Sequence, residues 1–200
     1  HIGALLIFDE MVTGFRLDLG GAQTFFGVVP DLATFGKGMA NGMPLAAVVG
    51  SRTVMQECEE VFFSTTFGGE CLSLAAAIAT IQEMRDKPVI EHIWRMGDKL
   101  VKGLNTFDIE TMGYPCRPMI KLANDSPAVR SLFAQETAKQ GVLIHSGGLV
   151  NLCFSHTEDD IDRAIIACLR SNKVVQKAFN EGKVEKLLKG KIIQPAFRRF

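Results

Sequence analysis

The run Ala4-Leu-Leu-Ile-Phe8 is apolar without alternation and ends on two carboxylates, Asp9 and Glu10. Such continuity predicts a strand covered on both faces, as in a parallel sheet flanked by helices. Further strand-like runs fall at Leu32–Phe35 and Leu45–Val49, with glycine-rich turns between them. Ser51 is a predicted N-cap for a short helix ending near Glu57, and the apolar stretch Cys71–Met84 predicts a longer helix. Lys87-Pro88 breaks this pattern, and another helix is predicted from Val89 to Gly103. A central strand so near the first residue leads us to expect a fragment of something longer.

Beyond Pro88 the pattern changes to a smaller α+β arrangement. Ser126-Pro127 supplies a cap and a first-turn proline for a helix that Gly141 should stop. Val142–Ile144 and Asn151–Phe154 read as strands on either side of a turn at Gly147-Gly148. Thr157 should cap a helix whose first turn holds Glu158, Asp159 and Asp160, favourable at the positive end of the helix dipole. Its residues Ile161, Ala164, Ile165, Cys168 and Leu169 share one face. The tail Lys183–Phe200 reads as a docking helix with a surface extension. These patterns divide the chain into residues 1–86 and 87–200.

Composition narrows the function. Basic and acidic residues balance at 22 each, so no global charge points to nucleic acid or an anionic membrane. The apolar stretch Leu72–Ile81 is about half the roughly 20 residues of a membrane span. The 5 cysteines are scattered without a CxxC pair. That argues against a metal site or a disulfide framework, and for a reducing cytoplasm.

Three segments carry candidate chemistry. Asp9 ends a strand, where ligands of α/β sheets bind. A strand ending in Asp-Glu also suits a P-loop ATPase, but Gly36-Lys37 is followed by Gly38 rather than Ser or Thr, and the chain offers no other candidate loop. Lys37 follows a strand directly and is flanked by glycines, which leaves room for a planar cofactor. Ser64-Thr65-Thr66-Phe67-Gly68-Gly69-Glu70 precedes a helix, where hydroxyls and backbone amides suit a phosphate, although Thr65 or Thr66 could equally be a plain N-cap.

Taken in order, FDEMVTGFR, PDLATFGKGMANGMPLAAVVG and STTFGGECLSLAAA resemble the class III aminotransferases of the fold type I pyridoxal phosphate enzymes, as does NLCFSHTEDDID near the C-terminal end. Within that family the segments are similar to those of glutamate-1-semialdehyde aminomutase and related aminotransferases of polysaccharide biosynthesis. The resemblance implies an α/β fold: part of a large domain with a mixed, mostly parallel sheet, followed by a small α+β domain. It implies that Lys37 forms a Schiff base with pyridoxal 5'-phosphate and moves the proton at the substrate carbon. Asp9 would pair with the pyridine nitrogen, and Met11 would pack on the ring where the family usually has valine. Thr66 would donate to the cofactor phosphate of a neighbouring subunit, which implies a homodimer with shared active sites. The substrates would be a small-molecule amino donor and an aldehyde or ketone acceptor. Intramolecular amino transfer is the alternative, as is an inactive remnant. Gly148 stands where the aminomutase branch has glutamate, which counts against the first of these. Leu149 stands where ω-aminotransferases place an arginine, leaving Arg16 as another candidate cation. The upstream part of such enzymes supplies the phosphate loop and a stacking aromatic.

Overall fold

The computed structural model describes residues 3–62, 65–106 and 109–194. It divides into two compact units, His1–Glu91 and His92–Phe200.

The first unit is built on a three-stranded sheet, β1 (Ile7–Asp9), β2 (Leu32–Phe35) and β3 (Ala47–Gly50), in that order. β1 and β2 run parallel, with Asp9 opposite Thr34, whereas β3 is antiparallel to β2. The crossover between the parallel pair contains the short helix α1 (Ala22–Phe26), which sequence pattern does not mark because it is one turn long. Beneath the sheet, Ala33, Phe35, Met39, Ala40 and Ala77 form a buried cluster against Phe8, Phe15 and Leu45.

Around this small core the surface is unusually apolar. The expectation that β1 is covered on both faces is not met: Leu5, Leu6 and Ile7 are 54%, 44% and 57% exposed. The cause is local. Among the described residues β1 has one strand neighbour, so its other edge and much of its surface face outward. After Ser51 the chain forms α2 (Arg52–Met55) and then a 3-10 turn; Ser51 holds the N-cap position but makes no side-chain cap bond. α3 (Cys71–Asp86) is helical where expected, yet it buries only Ser73 and Ala77 and leaves Leu72, Leu74 and Ile78 exposed.

α4 (Val89–Asn105) carries a stripe, Val89, Ile93, Met96, Leu100 and Leu104, whose helical spacing places all five on one buried face. In the second unit Gly97 lets this helix approach the chain at Pro115 very closely: a Cβ there would lie 1.8 Å from the Pro115 carbonyl oxygen. That turn belongs to a hairpin of β4 (Glu110–Met112) and β5 (Met119–Lys121). The hairpin escapes sequence reading because its strands are only three residues long and mix polar with apolar side chains.

α5 (Pro127–Lys139) starts as expected, with the Ser126 hydroxyl accepting from the Val129 amide at 3.3 Å. Gly141 follows its end at φ +80, in the left-handed region that glycine occupies at least cost. α6 (Glu158–Asn180) opens on a full capping box: the Thr157 hydroxyl accepts from the Asp160 amide, and the Asp160 carboxylate accepts from the Thr157 amide. Lys99 on α4 pairs with Asp162 of α6 at 2.9 Å and with Glu158 at 3.3 Å.

The strands expected at Val142–Ile144 and Asn151–Phe154 are not formed. Val142 is held by its amide to the Thr137 carbonyl, as part of the end of α5, and Leu143 is 89% exposed. Pairing goes instead to the residues between the two segments: Ile120 donates to Gly148 and Val150 donates to Pro118, which makes one bridge beside β5. Among its described residues the tail beyond Lys183 is helical only at α7 (Val184–Leu187); residues 195–200 lie outside the described residues. No helix among the described residues is long and apolar enough to cross a membrane.

Candidate active site

Strand direction decides where the candidate residues meet. Because β1 and β2 are parallel, their carboxyl ends open on the same edge of the sheet, and Asp9 and Lys37 leave the sheet there. Successive strand residues point to opposite faces. Phe8 turns toward the buried cluster, Asp9 is exposed and Glu10 is buried. Asp9 Oδ1 accepts from the Met11 amide at 3.0 Å and from the Thr34 hydroxyl at 3.4 Å. Both bonds use one oxygen, Oδ1.

Lys37 is exposed and begins a 3-10 turn, Lys37–Ala40, immediately after Gly36. Its φ is +43, in the left-handed region that a side chain with a Cβ seldom adopts, and Asn41 at the end of the turn has φ +46. Such conformations cost about 1 kcal/mol or more and concentrate at functional sites. Met11 reaches the same place: a Cβ on Gly36 would lie 2.6 Å from Met11 Cε and 2.9 Å from its sulfur. The absence of a side chain at Gly36 therefore admits the Met11 thioether next to Lys37.

Thr66 lies apart from this group in sequence, exposed in the turn that precedes α3. The helix cap expected of Thr65 or Thr66 belongs to neither. Glu70 holds it, accepting from the Leu72 amide at 2.6 Å and from the Ser73 amide and hydroxyl at 2.9 and 2.6 Å. The Ser73 hydroxyl, then the Ser73 and Leu72 amides, hold the Glu70 carboxyl below its ordinary range. With those amides engaged, the start of α3 offers a phosphate less than the sequence suggests. Ser64, which opens the motif, lies outside the described residues.

One residue that sequence reading passed over is Glu10. Its side chain is 1% exposed, and its carboxylate accepts from the Thr13 hydroxyl and from the amides of Ala22 and Gln23, both at 2.9 Å. The sequence signal was a second acid directly after Asp9 at the end of an apolar run. The second unit has a cavity of about 640 Å³, with Leu100, Ile120 and Leu152 in its wall and His145, Asp160 and Arg163 among its polar groups. Gly148 lies near it at φ +75, and a Cβ there would be 2.3 Å from the Ile120 carbonyl oxygen. Among the described residues there is no cluster of three or more metal-ligating side chains.

A profile of the family described as "Aminotransferase class-III" matches residues 1–165. Glutamate-1-semialdehyde 2,1-aminomutase of Alkaliphilus oremlandii is 36% identical over 194 residues, covering 88% of this chain and 46% of that protein. A 3-aminobutyryl-CoA aminotransferase of Cloacimonas acidaminovorans is 34% identical over 184 residues, covering 86% of this chain and 44% of its own length. Among solved structures, the PLP internal aldimine form of the FumI protein of Sphingopyxis sp. MTA144 superimposes with a TM-score of 0.83 at 30% identity, over 89% of this chain and 45% of that one. A transaminase with PLP bound shares the fold at a TM-score of 0.79 and 23% identity, over 88% and 45% of the two chains. The chain thus spans less than half the length of these relatives.

Proposed function

The chain belongs to the class-III aminotransferase family, and from that premise we propose that it carries the lysine and the aspartate of a pyridoxal-phosphate-dependent amino-transfer site. The observation that carries this reading is the parallel pairing of β1 and β2, which brings Asp9 and Lys37 to one edge of the sheet. The donor set fits the cofactor: an exposed carboxylate, an exposed amine in a strained turn, and a thioether admitted by Gly36. The bound cofactor supplies an electron sink that stabilises negative charge at the substrate carbon.

Each residue then has a part. Asp9 would hold a proton on the pyridine nitrogen by charge pairing, with its Oδ1 fixed in place by the Met11 amide and the Thr34 hydroxyl. Lys37 Nζ is the point of covalent attachment and, once free, the base that takes and returns the proton at the substrate carbon. Met11 packs its polarizable sulfur on the ring. Thr66 donates its hydroxyl to the cofactor phosphate of a second subunit, which makes the working unit a homodimer. Residues 1–86 would be part of the cofactor-binding large domain and residues 87–200 the small domain. The substrates are an amino donor and an aldehyde or ketone acceptor, in a reducing cytoplasm that suits five free thiols.

Intramolecular amino transfer is the second reading, favoured by the 36% identity to an aminomutase. Against it, Gly148 replaces the glutamate of that branch, and its φ of +75 and closeness to Ile120 leave no space for a side chain. The deciding experiment uses the longest natural form of the protein that contains this chain. Lys37→Ala should remove the visible band of bound pyridoxal phosphate and lower turnover by roughly 10³-fold, within the usual range for losing a proton-transfer group. An unchanged band and rate would refute the assignment. Transfer of ¹⁵N from a labelled donor to a second molecule separates transamination from intramolecular transfer.

A further inference from the structure

We propose that Glu10 is the positioning residue of this site: its buried carboxylate ties the loop from Thr13 to Gln23 against the end of β1 and so fixes the backbone that presents Asp9 and Met11. The inference rests on the proposed role of Asp9.

Glu10 is held at every polar group it has. Its amide donates to the Thr34 carbonyl at 2.9 Å, continuing the ladder one residue past Asp9. Its carbonyl accepts from the Gly14 amide at 2.9 Å. Oε2 accepts from the Thr13 hydroxyl and the Ala22 amide, and Oε1 from the Gln23 amide. The three donors to the side chain come from two places, 3 residues and 12 to 13 residues further along the chain. One carboxylate therefore closes a loop that secondary structure alone would leave open.

The surroundings are shaped around it. Gly21 is at φ +83, and a Cβ there would lie 2.7 Å from the Glu10 carboxyl carbon and from both its oxygens. Burying an anion is costly unless hydrogen bonds replace its water, and these donors do so. Glutamine at this position would turn an NH₂ group toward donors, so at least one bond must break. The displacement would pass directly to the two flanking residues, Asp9 on one side and Met11 on the other.

The test is made in the longest natural form of the protein, titrated with pyridoxal phosphate and followed by its visible band across pH. For Glu10→Gln we expect a Kd for the cofactor raised tenfold or more, and a pH midpoint of the band moved in the same direction as in Asp9→Asn. Val129→Ala, in a buried position of the second unit, should lower the unfolding midpoint without moving the midpoint of the band. A merely structural role for Glu10 would make it behave like Val129. If Asp9→Asn shifts the band and Glu10→Gln leaves Kd and band unchanged, the inference is overturned and the Asp9 assignment stands. If Asp9→Asn shifts nothing, the assignment fails and the inference with it. Should Glu10→Gln not fold, Thr13→Val removes a single donor and must show a smaller shift in the same direction; no shift overturns the inference.

Discussion

Replacing Gly97 by alanine probes the tightest backbone contact in the second unit. The added Cβ would stand 1.8 Å from the Pro115 carbonyl oxygen, 2.3 Å from its carbon and 3.1 Å from the Cys116 amide nitrogen. Real Cβ atoms essentially never come closer than 3.0 Å, so α4 and the turn at Pro115 must separate by more than 1 Å at that point. No flexible side chain can absorb this, because the atoms met are backbone. The neighbours Met96 and Cys116 are buried at 1% and 0% exposure, and the separation would loosen their packing. Overpacking of a close-packed interior costs about 1–3 kcal/mol, and a backbone clash belongs at the upper end. Alanine is favoured over glycine in a helix by about 1 kcal/mol, which offsets part of the cost. A net loss of about 2 kcal/mol should result, which lowers Tm by roughly 10 °C for a unit of this size. Trp94, the single tryptophan, lies on α4 with its ring centroid 5.9 Å from that of Tyr114 in the displaced turn. Its fluorescence therefore reports both the local shift and the urea unfolding curve. Unchanged emission together with unchanged or increased stability would refute the contact and the estimate drawn from it.

Further outcomes follow from single groups. Burial pushes the Cys168 thiol up to about 12 from an ordinary 9.0, so the folded chain keeps a proton that the unfolded chain releases. Stability from this group is complete below pH 9 and is lost as pH rises toward 12; the slope should disappear from the denaturation profile of Cys168→Ala. At the acid end, Asp160 is held below its ordinary range first by the Thr157 amide and then by the Thr157 hydroxyl. Its contribution is present above pH 4 or so and fades as the carboxylate is protonated. Protection of the amides in the first turn of α6, taken relative to their intrinsic exchange rate at each pH, should therefore fall on acidification, and Asp160→Asn should flatten that response. Gly148→Glu, which would restore the aminomutase-type residue, should destabilise the second unit by about 2 kcal/mol or more through left-handed strain and overpacking, as read from thermal unfolding.

Periodicity served well wherever one element buries one face. The starts of α3, α4, α5 and α6 fall at the residues that caps, prolines and apolar spacing mark, and β2 occupies Leu32–Phe35 as expected. It failed where a segment's partner decides its structure. Val142–Ile144 and Asn151–Phe154 have strand-like composition but find no ladder, whereas the short, mixed β4 and β5 do. At the candidate site, Asp9 at the end of β1 and Lys37 just after β2 stand where the sequence pattern puts them. Glu10 was not legible in that pattern, because its meaning depends on Ala22 and Gln23, whose amides reach it only after the chain has turned back. The true cap of α3 was hidden for a similar reason: serine and threonine are the usual caps, and a glutamate at that position is read as surface charge.

Under the proposed assignment, the left-handed turn at Lys37 sets folding and chemistry in opposition at a single position. Glycine would accept φ +43 without penalty, so a sequence selected for stability alone would place no lysine there. An attempt to harden this protein for stability alone would relax that residue first, and under the proposed assignment the gain in robustness would cost the amine on which the site depends.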